Sequence, residues 1–120
     1  DVANQVRMFE VVGQVVDRTC ILVDDMIDTG APIAKAAEAL FEQGADRVIA
    51  TATHGVLSGG AVDILKNSRI SEIIITNTLP VPQEKRFDKL TVLSIAPLLA
   101  RAINEVFSDG SVTSLFDGQS

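Results

Sequence analysis

An acidic segment follows a run of aliphatic residues early in the chain, and its residue types suit the binding of a sugar phosphate. The aliphatic residues 21–23 lead into Asp24 and Asp25, and residues 28–30 follow as Asp-Thr-Gly. Carboxylates accept hydrogen bonds from vicinal sugar hydroxyls. A hydroxyl and backbone N–H groups in a turn before a helix can bind phosphate. Sugar hydroxyls at one end and a phosphate at the other describe a ribose 5-phosphate group.

The elements that must position this segment are strands and helices in alternation. The aliphatic run is typical of a buried parallel strand, and ligands of open α/β sheets bind at the carboxyl ends of such strands. The alternation predicts an α/β fold with a parallel sheet. The predicted strands are an edge strand within 5–12, the strand at 21–23, strands at 47–53, 72–76 and 90–93, and a short strand within 111–116. The predicted helices run from Pro32 to a stop at Gly44, over 61–66, and over 95–107, the last capped by Ser94.

Three loops are expected to emerge on one edge of this sheet and to form one cleft. They are residues 24–32, 53–60 and 76–82. The charged segment 80–89 is expected to be an exposed excursion, with Lys85 and Arg86 solvated. Ser58-Gly59-Gly60, just before a predicted helix, could bind an anion at the helix N-terminus, but the expected role of Ser58 is the helix N-cap.

The composition predicts one domain and argues against both nucleic-acid binding and a membrane-spanning chain. A chain of 120 residues that is 47% hydrophobic can form a single core, so residues 1–120 are expected to be one domain. The net charge of −6 argues against nucleic-acid binding. The apolar runs are too short to span a bilayer, which argues against a membrane protein.

The single cysteine and the first residues give expectations about the cellular location of the protein and about its N-terminus. Cys20 is expected to be a buried, unreactive thiol, and one cysteine fits a cytoplasmic location. The chain starts at Asp1 with no basic segment typical of a signal peptide and with no initiator Met, so we expect a fragment or a processed piece.

Four motifs, taken in order, resemble ribose-phosphate diphosphokinase, also called phosphoribosyl pyrophosphate (PRPP) synthetase. They are Asp-Asp-x-x-Asp-Thr-Gly at 24–30, Thr-His-Gly-Val-Leu-Ser-Gly at 53–59, Thr-Asn-Thr-Leu-Pro at 76–80 and Gly-Ser-Val-Thr-Ser-Leu-Phe at 110–116. The resemblance covers nearly the whole chain. It implies the type I phosphoribosyltransferase-like fold, a parallel sheet flanked by helices, with this chain as the C-terminal of two similar domains.

The resemblance implies a Mg²⁺-dependent, cytoplasmic enzyme that is a homo-oligomer. Such an enzyme transfers the β,γ-diphosphate of ATP to the 1-hydroxyl of ribose 5-phosphate and so makes PRPP. The ribose 5-phosphate site that it implies consists of Asp24, Asp25, Asp28, Thr29, Gly30, Ala31 and Pro32. No segment resembles the family's ATP-binding region, metal ligands or catalytic Lys/Arg loop. This chain is therefore expected to contain no catalytic residue and no metal ligand, and to be inactive alone.

One departure from the family lies inside the implied site. Where the family usually has Gly-Thr, this chain has Ala31-Pro32. The Thr hydroxyl is absent, and Pro32 has no N–H to donate to a phosphate. Pro32 also suits the first turn of a helix. The departure is expected to weaken phosphate binding if both groups face the ligand.

Two further regions carry expectations about function. His54, the only histidine, is expected in a loop after the second strand, where it either lines the cleft or makes a structural hydrogen bond. By resemblance, the tail is a regulatory segment that binds a phosphate or a nucleotide diphosphate at a subunit interface. Its residues are Ser111, Val112, Thr113, Ser114, Leu115 and Phe116.

Two alternative functions remain open at this stage. A purine or pyrimidine phosphoribosyltransferase would use the same acidic loop with PRPP as donor, although the segments at 76–78 and 111–116 argue against it. A non-catalytic regulatory subunit of PRPP synthetase would keep the fold and the interfaces, and Ala31-Pro32 is the feature that supports it.

Overall fold

The computed structural model describes residues 11 and 13–116, which form an α/β unit around a four-stranded parallel sheet. The strands lie in sequential order: β1 (Thr19–Ile27), β2 (Arg47–Gly55), β3 (Glu72–Thr76) and β4 (Leu90–Leu93). The helices are α1 (Ala31–Glu42), α2 (Ala61–Asn67) and α3 (Ala96–Phe107), with short 3₁₀ helices at Gln83–Lys85 and Val112–Leu115. The predicted fold class is confirmed. Apart from Val11, the predicted edge strand within 5–12 lies outside the described residues.

One face of the sheet carries the hydrophobic core. Parallel crossovers are right-handed, so sequential strand order places α1 and α2 on the same face. Alternate residues of β2 point to that face, and two of them are alanines, which let the helices approach closely. The core members from the central strands are Val48, Ala50, Ala52, Ile73 and Ile75, and those from the two helices are Ile33, Ala37, Leu40, Ala61 and Leu65.

The opposite face of the sheet is not covered by the described residues. Ile21 and Val23 of β1 are 61% and 81% exposed, although parallel sheets are normally covered on both faces. Helix α3 has an apolar stripe that includes Leu99 and Ile103, and neither residue is buried. It packs chiefly against the 3₁₀ helix at Val112–Leu115. The described chain therefore presents two uncovered apolar surfaces.

The predicted limits of α1 are confirmed, whereas the predicted cap of α3 is wrong. Pro32 lies in the first turn of α1, and Gly44 follows its last turn with φ +100°. Helix α3 has Ile95 at its N-cap position, one residue after Ser94. The Ser94 hydroxyl still accepts a hydrogen bond from the Ala96 N–H at 3.2 Å, so it gives a partner to the first N–H group of the helix.

The tail was predicted to contain a short strand within 111–116, and this prediction is wrong. Residues Val112–Leu115 form a 3₁₀ helix. The Ser114 and Phe116 N–H groups donate to the Ser111 and Thr113 carbonyls at 3.1 and 3.0 Å. Because these local hydrogen bonds satisfy the backbone, the segment pairs with no strand of the described sheet.

Candidate functional site

The two adjacent carboxylates lie in a strand and not in the predicted loop 24–32. β1 continues through Asp24 and Asp25 because its ladder with β2 continues, pairing Asp24 with Ala52 and Met26 with His54. Asp24 Oδ1 accepts the Asp25 N–H at 2.8 Å, and Asp25 Oδ1 accepts the Met26 N–H at 2.7 Å. Both residues are exposed. Each carboxylate therefore keeps lone pairs that can accept hydrogen bonds from a ligand.

Residues 28–30 form a tight turn, the β1–α1 turn, between β1 and α1. Gly30 is the N-cap of α1 and has a left-handed backbone with φ +81°, which glycine adopts without strain. The Ala31 N–H donates weakly to Thr29 Oγ1 at 3.4 Å, and the Ala34 N–H donates to the Gly30 carbonyl at 3.0 Å. The helix thus directs its partially positive end at this turn, as an anion site requires.

The end of β1, the β1–α1 turn and the first turn of α1 enclose a cleft of about 300 Å³, the β1–α1 cleft. Its volume is at the lower end of the range for small-molecule sites, roughly 300–1,000 Å³. Six of the seven residues predicted to bind ribose 5-phosphate line it, and Ala31 does not. The lining consists of Asp24, Asp25, Met26, Ile27, Asp28, Thr29, Gly30, Pro32 and Ile33.

The loop after β2 is hydrogen-bonded to the end of β1 and to the β1–α1 turn. The predicted loop 53–60 is shorter than expected, because β2 extends to Gly55. The Val56 and Leu57 N–H groups donate to the Ile27 carbonyl at 3.0 and 3.1 Å. The Ser58 N–H donates to the Asp28 carbonyl at 3.0 Å, and the Ser58 hydroxyl donates to Asp28 Oδ1. Three backbone hydrogen bonds and one side-chain bond therefore join the two segments.

The predicted role of Ser58 as a helix cap is wrong. The N-cap of α2 is Gly60, which makes no side-chain cap. The Ser58 hydroxyl is directed to Asp28 instead. Sequence reasoning missed this contact because the two residues are 30 positions apart, and no local pattern pairs them. The only indication in the sequence was that both segments were predicted to end neighbouring parallel strands.

His54 lies in β2 and not in a loop, because the β1–β2 ladder extends past it to Gly55. Its ring is half-buried, and Nδ1 lies 2.7 Å from Thr78 Oγ1. It is not part of the lining of the β1–α1 cleft. Thr76 Oγ1 donates to the Thr53 carbonyl at 2.7 Å. These contacts connect the end of β2 to the segment after β3, so two of the three predicted loops are held together.

The charged excursion and the tail differ in how they are anchored. Val81 and Phe87 pack against the core, so the segment 80–89 is tied to the sheet more firmly than predicted. The tail is mostly exposed. Ser111 Oγ and Thr113 Oγ1 lie 2.5 Å apart, which places two hydroxyls of the predicted regulatory segment together.

Two negative findings apply to residues 11 and 13–116. No group of three or more His, Cys, Asp or Glu residues in this part of the chain could hold a metal ion. None of its helices is long and apolar enough to cross a membrane.

The parallel sheet, with an acidic cleft at the carboxyl end of β1, places the chain among the α/β domains. The sequence model of the phosphoribosyl synthetase-associated domain matches residues 2–117. The chain belongs to this family.

Relatives of known function share this domain at high identity. The chain is 67% identical over 119 residues to a ribose-phosphate pyrophosphokinase of Streptomyces coelicolor, covering 99% of this chain and 37% of the relative. It is 58% identical over 117 residues to that of Mycobacterium tuberculosis, covering 98% and 36%. The chain thus spans little more than a third of the length of these relatives.

A solved structure also shares the fold. Phosphoribosylpyrophosphate synthetase from Mycobacterium smegmatis superposes with a TM-score of 0.78 at 57% sequence identity. The superposition covers 82% of this chain and 33% of that one. The resemblance inferred from four sequence motifs is therefore confirmed, as is the α/β fold class.

Proposed function

We propose that this chain supplies the ribose 5-phosphate site of a ribose-phosphate pyrophosphokinase, which makes PRPP from ATP and ribose 5-phosphate. The observation that carries the proposal is the β1–α1 cleft, whose lining includes six of the seven residues that the family resemblance implies. The names of the relatives support the reaction, since they are ribose-phosphate pyrophosphokinases.

Each part of the cleft matches a part of ribose 5-phosphate. Exposed oxygens of Asp24 and Asp25 can accept hydrogen bonds from vicinal ribose hydroxyls, and Asp28 adds a third carboxylate. The Thr29 hydroxyl and the start of α1 can bind the 5-phosphate. The net charge of −6 gives no general attraction for anions, so the helix terminus must supply it locally.

The contribution of this chain to catalysis is the positioning of the acceptor. Transfer of phosphoryl-type groups depends mostly on alignment and on neutralising charge. A sugar held at both its hydroxyls and its phosphate has its 1-hydroxyl fixed relative to the cleft. We propose that the chain is the C-terminal half of a two-domain enzyme, and that the other half binds ATP and contributes the catalytic groups.

Mg²⁺ is part of the proposed reaction but not of the chemistry assigned to this chain. The described residues assemble no cluster of three or more potential ligands for it. When bound with ATP, the ion would neutralise charge on the transferred phosphates. The roles proposed for Asp24, Asp28 and Thr29 do not depend on the ion.

The tail at Ser111–Phe116 is proposed to bind a regulatory phosphate or nucleotide diphosphate at a subunit interface of a homo-oligomer. Its paired hydroxyls at Ser111 and Thr113 and its exposure support this role. We further propose a cytoplasmic location, in keeping with nucleotide precursor synthesis.

The full-length gene product that contains this chain tests the reaction. Incubation with ATP, Mg²⁺ and ribose 5-phosphate should yield PRPP and AMP. A phosphoribosyltransferase would instead consume PRPP and a purine or pyrimidine base, releasing pyrophosphate. A regulatory subunit would do neither, but would change the activity of an active synthetase added to it. Only the first result supports the proposal.

A further inference from the structure

We infer that Ser58 is a positioning residue, which orients the Asp28 carboxylate for the sugar phosphate. This inference rests on the proposed function of the β1–α1 cleft. Ser58 does not line the cleft, whereas Asp28 does. The Ser58 hydroxyl donates to Asp28 Oδ1 from the loop that follows the neighbouring strand. A contact from outside the cleft thus determines the orientation of the Asp28 carboxylate inside it.

The backbone around Ser58 holds its hydroxyl in place. Leu57 is 1% exposed, and its backbone is left-handed with φ +51°, a conformation uncommon for leucine. The Val56 and Leu57 N–H groups share the Ile27 carbonyl. The burial of Leu57 and these hydrogen bonds fix the loop against the end of β1. The hydroxyl of Ser58 therefore approaches Asp28 from one direction.

The side-chain bond can be removed without removing the turn. The Ser58 N–H donates to the Asp28 carbonyl, and the Ser58 carbonyl accepts the Ala61 N–H at 3.1 Å. Neither bond uses the hydroxyl. Ser58→Ala should therefore leave the loop folded, while Asp28 loses the donor that occupies Oδ1. The carboxylate can then rotate, and Oδ2 is no longer held for a ligand.

Kinetics of the full-length gene product test the inference. Ser58→Ala should raise the KM for ribose 5-phosphate roughly two- to tenfold, because a freely rotating Asp28 side chain must be ordered when the ligand binds. The KM for ATP should not change. Ser58→Thr keeps a hydroxyl at the same position and should restore most of the affinity. Ser71→Ala is the matched control, since Ser71 lies just before β3 and its hydroxyl donates to the Val48 carbonyl of β2, and it should leave both KM values unchanged.

A double-mutant cycle with Asp28→Ala separates positioning from general destabilisation. If Ser58 acts through Asp28, Ser58→Ala should have no further effect on KM in the Asp28→Ala background. Full additivity, or an unchanged KM for Ser58→Ala alone, would overturn the inference while the proposed function stands. If Asp28→Ala and Asp24→Ala both leave the KM for ribose 5-phosphate unchanged, the proposed function and this inference both fail.

Discussion

Gly30 lies directly against Leu65, so the β1–α1 turn packs on the core side of α2. A Cβ atom added at Gly30 would lie 3.2 Å from Leu65 Cγ, and Leu65 is fully buried. Gly30 also has φ +81°, which disfavours any other residue. The left-handed backbone and the close approach of Leu65 therefore both favour glycine at the start of α1, where the phosphate is proposed to bind.

The first prediction concerns Gly30→Ala. It should lower the free energy of unfolding by about 2–4 kcal/mol, of which about 1–2 comes from the left-handed backbone and the rest from contact with Leu65. Gly59→Ala is the matched control, because Gly59 has φ +55° but no atom within 4 Å of an added Cβ. Gly59→Ala should lose only the part of the free energy of unfolding that comes from the left-handed backbone. Urea unfolding of both variants measures the difference, and equal losses would refute a packing role for Leu65.

The second prediction concerns the end of β2. A Cβ added at Gly55 would overlap Ile75 Cδ1, so Gly55→Ala should lower the free energy of unfolding by about 1–3 kcal/mol. Ile75→Val removes the Cδ1 atom. In that background, Gly55→Ala should cost less than it does alone. Strict additivity of the two substitutions in urea unfolding would contradict this account of the close approach.

The third prediction concerns Ala31-Pro32. Pro32 lines the β1–α1 cleft and Ala31 does not. Replacing the pair with Gly-Thr restores one N–H and one hydroxyl, and should tighten ribose 5-phosphate binding by about 1–3 kcal/mol if both face the phosphate. Titration calorimetry on the full-length gene product compares the two versions. Equal affinities would mean that the departure from the family pattern is neutral.

The fourth prediction concerns the chain by itself. The purified chain, residues 1–120, should form no PRPP from ATP, Mg²⁺ and ribose 5-phosphate, because it lacks motifs resembling the nucleotide-binding and catalytic regions. Far-ultraviolet circular dichroism should first establish that the sample is folded. Measurable PRPP from the folded chain would show that the catalytic groups have been placed in the wrong half of the enzyme.

The sequence was a good guide to elements and a poorer guide to where strands end. Periodic apolar residues and Gly44 predicted α1 well, because its buried side is determined by local spacing. The end of the apolar run at Val23 predicts a loop from Asp24 onward, whereas the β1–β2 ladder continues through Asp24 and Asp25. The Ser58–Asp28 contact joins residues brought together only by the sheet. Such long-range pairings depend on tertiary structure that no local pattern specifies.

Titration calorimetry of ribose 5-phosphate against the full-length gene product and two variants tests whether the β1–α1 cleft binds the sugar phosphate. Asp24→Ala removes a carboxylate of the β1–α1 cleft. Asp46→Ala removes an exposed carboxylate just before β2, at the end of the strands opposite the cleft. We expect Asp24→Ala to weaken ribose 5-phosphate binding roughly tenfold or more, since an acceptor for sugar hydroxyls is lost. Asp46→Ala should bind as the unaltered protein does. Equal affinity for the unaltered protein and Asp24→Ala, repeated with Asp28→Ala, would contradict the assignment of this cleft to ribose 5-phosphate.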